Sequence, residues 1–211
     1  MRARLRLLIP ATAAMAAVIA LVAPSANAGL LDPITNLLLP TCGSTSQVFR
    51  PVDGDGSSYF GFANNGFESG STGWSLSRGA YVTRDNEPWY ANGFGSHALA
   101  LPPGTSATSP SFCVNLLDPS GRMFARALSA NDDLQVQVLF HGLTGNLTGI
   151  LNVGSLSAHD YDSWQPSERF NSLLALPLLT SSAQIRVTNT GSRGTWEIDD
   201  AFIDPCLSRL G

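Results

Sequence analysis

The chain contains no lysine, and only 13% of its 211 residues are charged. Arginine is its one strongly basic side chain, and sixteen acids outnumber twelve arginines. Nucleic-acid binding rests on a basic footprint, which this sequence lacks. The same charge balance argues against attraction to an anionic membrane surface. We therefore expect neither nucleic acid nor a membrane among its partners.

Long apolar runs are also scarce, and the longest covers residues 7–23. It follows a basic start and leads to Ser25-Ala26-Asn27-Ala28, whose small residues predict cleavage after Ala28. The run is at the short edge of a membrane span of about 20 residues, and Pro10 interrupts it. We predict a signal peptide over residues 1–28, a secreted, extracellular protein and no stable membrane insertion after cleavage. The mature chain would carry nine arginines and sixteen acids, a net charge of −7.

Cysteine is rare, with Cys42, Cys113 and Cys206 the three present. Export favours one disulfide and leaves one thiol over. The candidate loops span 71, 93 and 164 residues. Each loop gives about 4 to 5 kcal/mol in the chain-entropy model, so entropy does not choose the pair. A metal–thiolate site is a poor interpretation because no two cysteines lie near each other.

The sequence is rich in turn-forming residues and in short segments of alternating polarity. The clearest segment, residues 133–140, places Leu134, Val136, Val138 and Phe140 on one face and Gln135 and Gln137 on the other. Further strand signals recur about every ten residues between turns, which predicts an all-β fold, an antiparallel β-sandwich. Pro110 would place its strand at an edge or a bulge. We divide the chain into a leader or linker (29–57), a sandwich domain (58–206) and a tail (207–211).

Two motifs at opposite ends of the domain are informative together. One is Asn65-Gly66-Phe67-Glu68 followed by Gly73-Trp74, and the other is Trp196-Glu197-Ile198-Asp199-Asp200-Ala201-Phe202. With Gly95-Ser96-His97-Ala98-Leu99-Ala100-Leu101 between them, they resemble the signature of jelly-roll carbohydrate-binding modules of the galactose-binding-domain-like type. Small uncharacterised secreted bacterial proteins built on this module alone look similar. The resemblance spans residues 65–205 and implies a jelly-roll sandwich.

The resemblance also implies neighbouring first and last strands with a structural calcium at their junction. Carried over, the ligands would be Glu68 and Asp199, with Asp200 as the alternative; both kinds of carboxylate supply the hard oxygens that calcium needs. The other interpretation is that Glu68 caps a turn. The alternation in residues 196–204 fails unless a bulge lies near the two aspartates.

Two further expectations come from the resemblance. Similar chains pair a cysteine before the opening motif with one in the strand that contains Pro110, which favours Cys42–Cys113. The rival is Cys42–Cys206, because the first and last strands should be neighbours. Trp74 and Trp196 lie in the structural motifs, so core packing is favoured for both.

Sugar binding in such modules relies on aromatic rings that stack on pyranose faces beside polar side chains. Two loops carry the remaining candidates. We select Trp89, Tyr90 and Asn92 in the first, which also contains Phe94, and Tyr161 and Trp164 in the second. Rings that cover an edge of the sandwich are the alternative in both loops.

These observations favour a secreted, non-catalytic module that recognises extracellular glycans. A structural or adhesive extracellular domain without a sugar site is the alternative, and a glycan-active enzyme comes third. The sequence has no G-x-S-x-G elbow and no H-E-x-x-H motif. We predict no catalytic residue and no cofactor other than structural calcium.

Overall fold

The computed structural model describes residues 44–113, 120–129, 131, 133–171 and 180–204. Two antiparallel sheets pack face to face, so the predicted antiparallel β-sandwich is confirmed. The predicted signal peptide (1–28), the tail (207–211), Cys42 and Cys206 lie outside the described residues. None of the described helices is long and apolar enough to cross a membrane.

The described elements are a helix α1 (Arg50–Asp53), a 3-10 helix (Ala158–Asp160) and thirteen strands. The strands are β1 (Phe60–Gly61), β2 (Ser75–Leu76), β3 (Tyr81–Thr83), β4 (Ala98–Leu101), β5 (Ser106–Thr108), β6 (Phe112–Cys113), β7 (Ser120–Leu128), β8 (Leu134–Gly142), β9 (Leu147–Leu156), β10 (Gln165–Pro166), β11 (Phe170–Asn171), β12 (Thr180–Asn189) and β13 (Thr195–Asp204).

Sheet I has the strand order β10-β7-β13-β4-β3, with β1 also paired to β13 and β11 to β7. Sheet II has the order β2-β5-β12-β8-β9, with β6 also paired to β12. The first and last strands are neighbours, as predicted, since Phe60 pairs with Ile203. The two ends of the domain therefore meet in the middle of sheet I.

Local sequence explains the details of sheet II. Along β8, Leu134 and Val136 are buried while Gln135 and Gln137 are partly exposed, which confirms the predicted alternation. Pro110 lies between β5 and β6, where the strand is interrupted because proline has no N–H to donate.

The main core lies between the two sheets. It contains the tryptophans of both motifs, and Trp74 is 7% exposed and Trp196 fully buried. Burial of each such side chain contributes about 1.5 to 3 kcal/mol. The prediction that these two rings are structural is confirmed.

A second buried cluster covers the outer face of sheet I. Its members are Phe49, Tyr59, Ala98, Phe124, Trp164 and Phe202. Residues 44–57, which the sequence suggested were a leader, supply part of this cover, because Phe49 is fully buried. This cover explains why β13 is buried on both faces instead of alternating.

Strand β13 contains the predicted bulge. Its register with β7 shifts between Asp199 and Phe202, and Asp200 adopts a left-handed φ of 43°. The extra residue restores parity, so Ala201 and Ile203 return to the core between the sheets. The bulge also places two consecutive carboxylates beneath the loop between β3 and β4.

Candidate functional site

Residues 84–97, called here the aromatic loop, connect β3 to β4 at the edge of sheet I. The loop presents three exposed rings: Trp89 is 38%, Tyr90 47% and Phe94 97% exposed. The Tyr90 and Phe94 rings contact each other, with centroids 5.5 Å apart and planes at 52°. Exposed apolar groups that cluster in this way mark an interaction site more often than scattered ones.

The indole of Trp89 packs against the sandwich. Its ring stacks on Phe124 of β7, with centroids 5.3 Å apart and planes at 27°. One face of the indole is thus supported by the protein, and the side chain stays more than a third exposed. A supported ring loses little conformational entropy when a ligand binds.

Three buried carboxylates hold the middle of the aromatic loop through its backbone. Glu87 accepts hydrogen bonds from the amides of Trp89 and Ala91. Asp199 accepts one from the Glu87 amide at 3.1 Å, and Asp200 accepts one from the Asn92 amide at 2.9 Å. The loop is therefore fixed by hydrogen bonds to β13 and to its own acid.

Glu68 holds the end of the loop in the same way. Its Oε1 accepts hydrogen bonds from the amides of Ser96 at 2.7 Å and His97 at 2.8 Å. Burial alone would raise the pKa of Glu68, but these donors and the His97 ring outweigh it and lower the pKa. The glutamate of the opening motif thus acts as a backbone cap, the interpretation that was the alternative to calcium binding.

Arg126 connects the start of the loop to sheet I. Its guanidinium bonds Asp85 of the loop and Glu197 of β13, the latter at 2.6 Å. It also lies 5.1 Å from the centroid of the Trp164 ring, which gives a cation–π contact. Burial raises the pKa of Glu197, and Arg126 offsets part of that effect.

The buried aspartates of the bulge are electrostatically costly. Asp199 is 1% and Asp200 4% exposed. Burial, followed by repulsion from Asp200, raises the pKa of Asp199. Burial, together with the charges of Glu87 and Glu68, raises the pKa of Asp200 despite the Asn92 amide. Gly66 lies so close to Asp200 that a Cβ there would clash with Asp200 Oδ1, which explains the glycine of the opening motif.

The predicted calcium ligands bond different parts of the aromatic loop in this structure. Glu68 bonds Ser96 and His97, whereas Asp199 and Asp200 bond the middle of the loop. Within the described part of the chain, no three His, Cys, Asp or Glu side chains are arranged to hold a metal ion. The hard oxygens of Asp199 and Asp200 suit calcium chemically. Calcium binding stays a prediction.

The predicted ligand residues divide into two groups. Trp89, Tyr90 and Asn92 lie together at the surface, and the Asn92 side chain donates to Asn65 Oδ1 at 2.9 Å. Tyr161 and Trp164, by contrast, are 7% and 8% exposed. They cover the sandwich, since Tyr161 contacts the ring of Trp196 in the core, and Tyr161 also lines a pocket of about 300 Å³ together with Phe170.

Ser96, His97 and Glu68 lie close together near the end of the loop. His97 Nδ1 is 3.1 Å from both Ser96 Oγ and Glu68 Oε2. A serine–histidine–acid relay needs the serine on one ring nitrogen and the acid on the other. One nitrogen faces both partners here, so the geometry is not that of a relay.

The described part of the chain also has a shallow polar cleft of about 520 Å³ on sheet II, far from the aromatic loop in sequence. Its lining includes Asp133, Gln135, Asn152, Ser155 and Thr190, with no aromatic ring. Ligand sites combine apolar or aromatic surface with a few polar groups. The aromatic loop supplies aromatic rings together with polar groups, whereas the cleft supplies polar groups without a ring.

No protein-family model matches this chain, and no curated protein matches it in sequence. Similar solved structures include the CBM22-1 xylan-binding domain of Paenibacillus barcinonensis Xyn10C. It is 16% identical with a TM-score of 0.45, over 66% of this chain and 90% of that one. TmCBM61 in complex with β-1,4-galactotriose is 17% identical with a TM-score of 0.41, over 67% and 95%.

The enzymatically active domain of bacteriophage CBA120 tailspike protein 4 is also similar, at 13% identity and a TM-score of 0.47. The match covers 67% of this chain and spans about a fifth of that one, 21%. The similar structures thus include carbohydrate-binding modules, the class that the motifs resemble. At these identities the likeness is one of fold.

Proposed function

We propose that this chain is a secreted, non-catalytic module that recognises extracellular carbohydrate through the aromatic loop. The observation that carries the proposal is the combination of exposure and anchoring. Trp89, Tyr90 and Phe94 expose their rings, and carboxylates fix the backbone that bears them. Binding would then immobilise few groups, which favours affinity.

Aromatic rings suit a sugar because each pyranose has an apolar C–H face and a polar rim. Trp89 offers a supported indole, and Tyr90 adds a hydroxyl beside its ring. The amide side chain of exposed Asn92 lies in the same loop for hydrogen bonds to sugar hydroxyls. The loop therefore supplies both kinds of contact.

Local charge favours a neutral glycan. The chain has no lysine, and Arg126 at the base of the loop is already bonded to two acids. Glu68, whose pKa is lowered, carries a negative charge at the end of the loop, and Arg84 is the exposed arginine at its start. The loop therefore offers no cluster of cations that would bind a polysaccharide rich in uronic acid or sulfate.

The test is binding to a panel of neutral and acidic polysaccharides by affinity electrophoresis and calorimetry. We expect retention on at least one neutral polysaccharide and weakening of about tenfold or more in Trp89→Ala and Tyr90→Ala. Tyr81→Ala is the matched control, because Tyr81 is 52% exposed on β3 outside the loop. No retention of the wild type on any glycan would overturn the proposal.

The second candidate is a structural or adhesive domain without a sugar site. The burial of Tyr161 and Trp164 favours it, since both rings serve the sandwich. It predicts that the loop variants leave every glycan interaction unchanged. A glycan-active enzyme, the third reading, predicts new reducing ends after incubation with a polysaccharide. Glu87 is fully buried with both oxygens bonded, so it is no candidate acid for such chemistry.

A further inference from the structure

Glu87 is a charged residue with no exposed surface, in the middle of an exposed loop. Its side chain turns inward, and its two carboxylate oxygens bond different amides of the same loop. Oε2 accepts from Trp89 N and Oε1 from Ala91 N, both at 2.5 Å. The carboxylate therefore brackets Tyr90, binding the amide on each side of it.

Tyr90 has a backbone conformation that contacts from its surroundings must stabilise. Its φ is 54°, in the left-handed region that residues other than glycine rarely adopt. A residue in this region stays there only when its surroundings fix it. The amide of Gly93 donates to the Tyr90 carbonyl at 2.9 Å, which closes a turn on the other side. Glu87 thus holds the two amides that flank this left-handed residue.

Glu87 is itself held in place. Its own amide donates to Asp199 Oδ2 at 3.1 Å, and its carbonyl accepts from the Asn86 side chain at 2.6 Å. Glu87 is therefore fixed to the bulge of β13, and its carboxylate connects the bulge to the backbone on both sides of Tyr90.

We propose that Glu87 is the positioning residue of the aromatic site: it sets the relative orientation of Trp89 and Tyr90 without contact with the ligand. The role needs two acceptor oxygens at the end of a glutamate-length side chain. Glutamine has one acceptor, and its NH₂ would face an amide donor. Aspartate is one carbon too short to reach both amides. This inference rests on the proposed function for its effect on glycan binding.

The experiment compares Glu87→Gln and Glu87→Asp with wild type, and the second variant keeps the charge. Asp204→Asn is the control, because Asp204 is equally buried at the far end of β13. Hydrogen exchange at the amides of Trp89 and Ala91 reports on the bracket. Acrylamide quenching reports on Trp89, since Trp74, Trp164 and Trp196 are 8% exposed or less.

We expect both Glu87 variants to accelerate exchange at Trp89 and Ala91 about tenfold or more, with β4 and β13 unaffected. Quenching should rise, and affinity for the glycan that binds wild type should fall about tenfold or more. Unchanged exchange in both variants would overturn the proposal, as would faster exchange with unchanged affinity. Equally accelerated exchange at Trp89 and Ala91 in Asp204→Asn would also overturn it, because the faster exchange would then reflect a general loss of stability.

The two proposals fail in different ways. If wild type binds no glycan, the proposed function is wrong, and exchange and quenching still decide whether Glu87 orients the two rings. If wild type binds and the Glu87 variants bind equally well, the function stands and the positioning role is wrong.

Discussion

The guanidinium of Arg122 lies over the ring of Phe49, with its central carbon 4.2 Å from the ring centroid. Phe49 in turn stacks on Phe124 at 5.3 Å, and Phe124 stacks on Trp89 at the same distance. A continuous stack therefore runs from residues 44–57 to the aromatic loop. The N-terminal segment supports the proposed site from behind.

Replacement of Phe49 by alanine should lower the free energy of unfolding by about 3 to 5 kcal/mol, because a fully buried ring leaves a cavity. It should also increase quenching of Trp89, whose support on Phe124 loosens. Urea denaturation gives the stability change. Leu143→Ala is the control, since Leu143 is 70% exposed and its loss should change stability by about 0.5 kcal/mol or less. Equal effects of the two variants would contradict the stack.

Asp55 connects the N-terminal segment to the sandwich through Arg122, at 3.0 Å, and Arg169. Burial alone would raise the pKa of Asp55, but the Tyr59 hydroxyl, the Ser57 amide and Arg169 outweigh it and lower the pKa. Asp55→Asn should therefore cost about 2 to 4 kcal/mol at neutral pH.

The sign of the pH dependence follows from the lowered pKa. The stabilisation by Asp55 is present above its unfolded pKa of about 3.9 and is lost as the pH falls below that value. The difference between wild type and Asp55→Asn should shrink towards pH 2 in urea titrations. A difference that stays constant from neutral pH to pH 2 would show that the variant acts through packing instead.

Asp199 and Asp200 predict the opposite pH dependence. Burial raises both pKa values, so the folded state binds more protons than the unfolded chain above about pH 4. With chelator present, the melting temperature should fall between about pH 5 and pH 8. Substitution of both aspartates by asparagine should remove most of that slope, and a slope that persists would assign it to other groups.

Calcium is tested in the same titration. If the ion binds at Asp199 and Asp200, it competes with protons, so millimolar calcium should raise the melting temperature by roughly 5 °C at pH 8 and less at pH 5. Magnesium is the control, because it demands a tighter octahedral shell. Identical melts with calcium and with chelator at both pH values would show that the calcium prediction is wrong.

The disulfide prediction is decided by peptide mapping without reduction. We expect a peptide pair that joins Cys42 to Cys113 and a free thiol at Cys206. Reduction should then cost about 4 to 5 kcal/mol, the loop-closure value for a ring of this size. A Cys42–Cys206 peptide would instead favour the neighbouring end strands as the basis of the pairing.

Much of the fold could be predicted because strand periodicity and turn residues are local. The broken alternation around Asp199 and Asp200 predicts the bulge that β13 contains. Pro110 predicts an edge or a bulge, and the strand is interrupted there. The double burial of β13 could not be predicted in this way. It depends on Phe49 and Trp164, which come from distant segments that fold onto the outer face of sheet I.

For the same reason the sequence indicates the aromatic loop but not its anchors, and its role as a ligand site stays a prediction. The loop around Trp89 and Tyr90 was identified from its aromatic residues, and their exposure fits that interpretation. The inward direction of Glu87 was missed, because a glutamate in a polar loop gives no sign of which way it points. The only sequence signal is the spacing: Glu87 precedes by two and four positions the residues whose amides donate to it.

The carboxylates that anchor the aromatic loop bind its main chain, since Glu87, Asp200 and Glu68 all accept hydrogen bonds from backbone N–H groups. Every residue other than proline offers such a group, whatever its side chain. The side chains at Trp89 and Phe94 can therefore be replaced without loss of the hydrogen bonds that anchor the loop. A library of variants at these two positions could be screened for new glycan specificities while the carboxylates keep the loop in one shape.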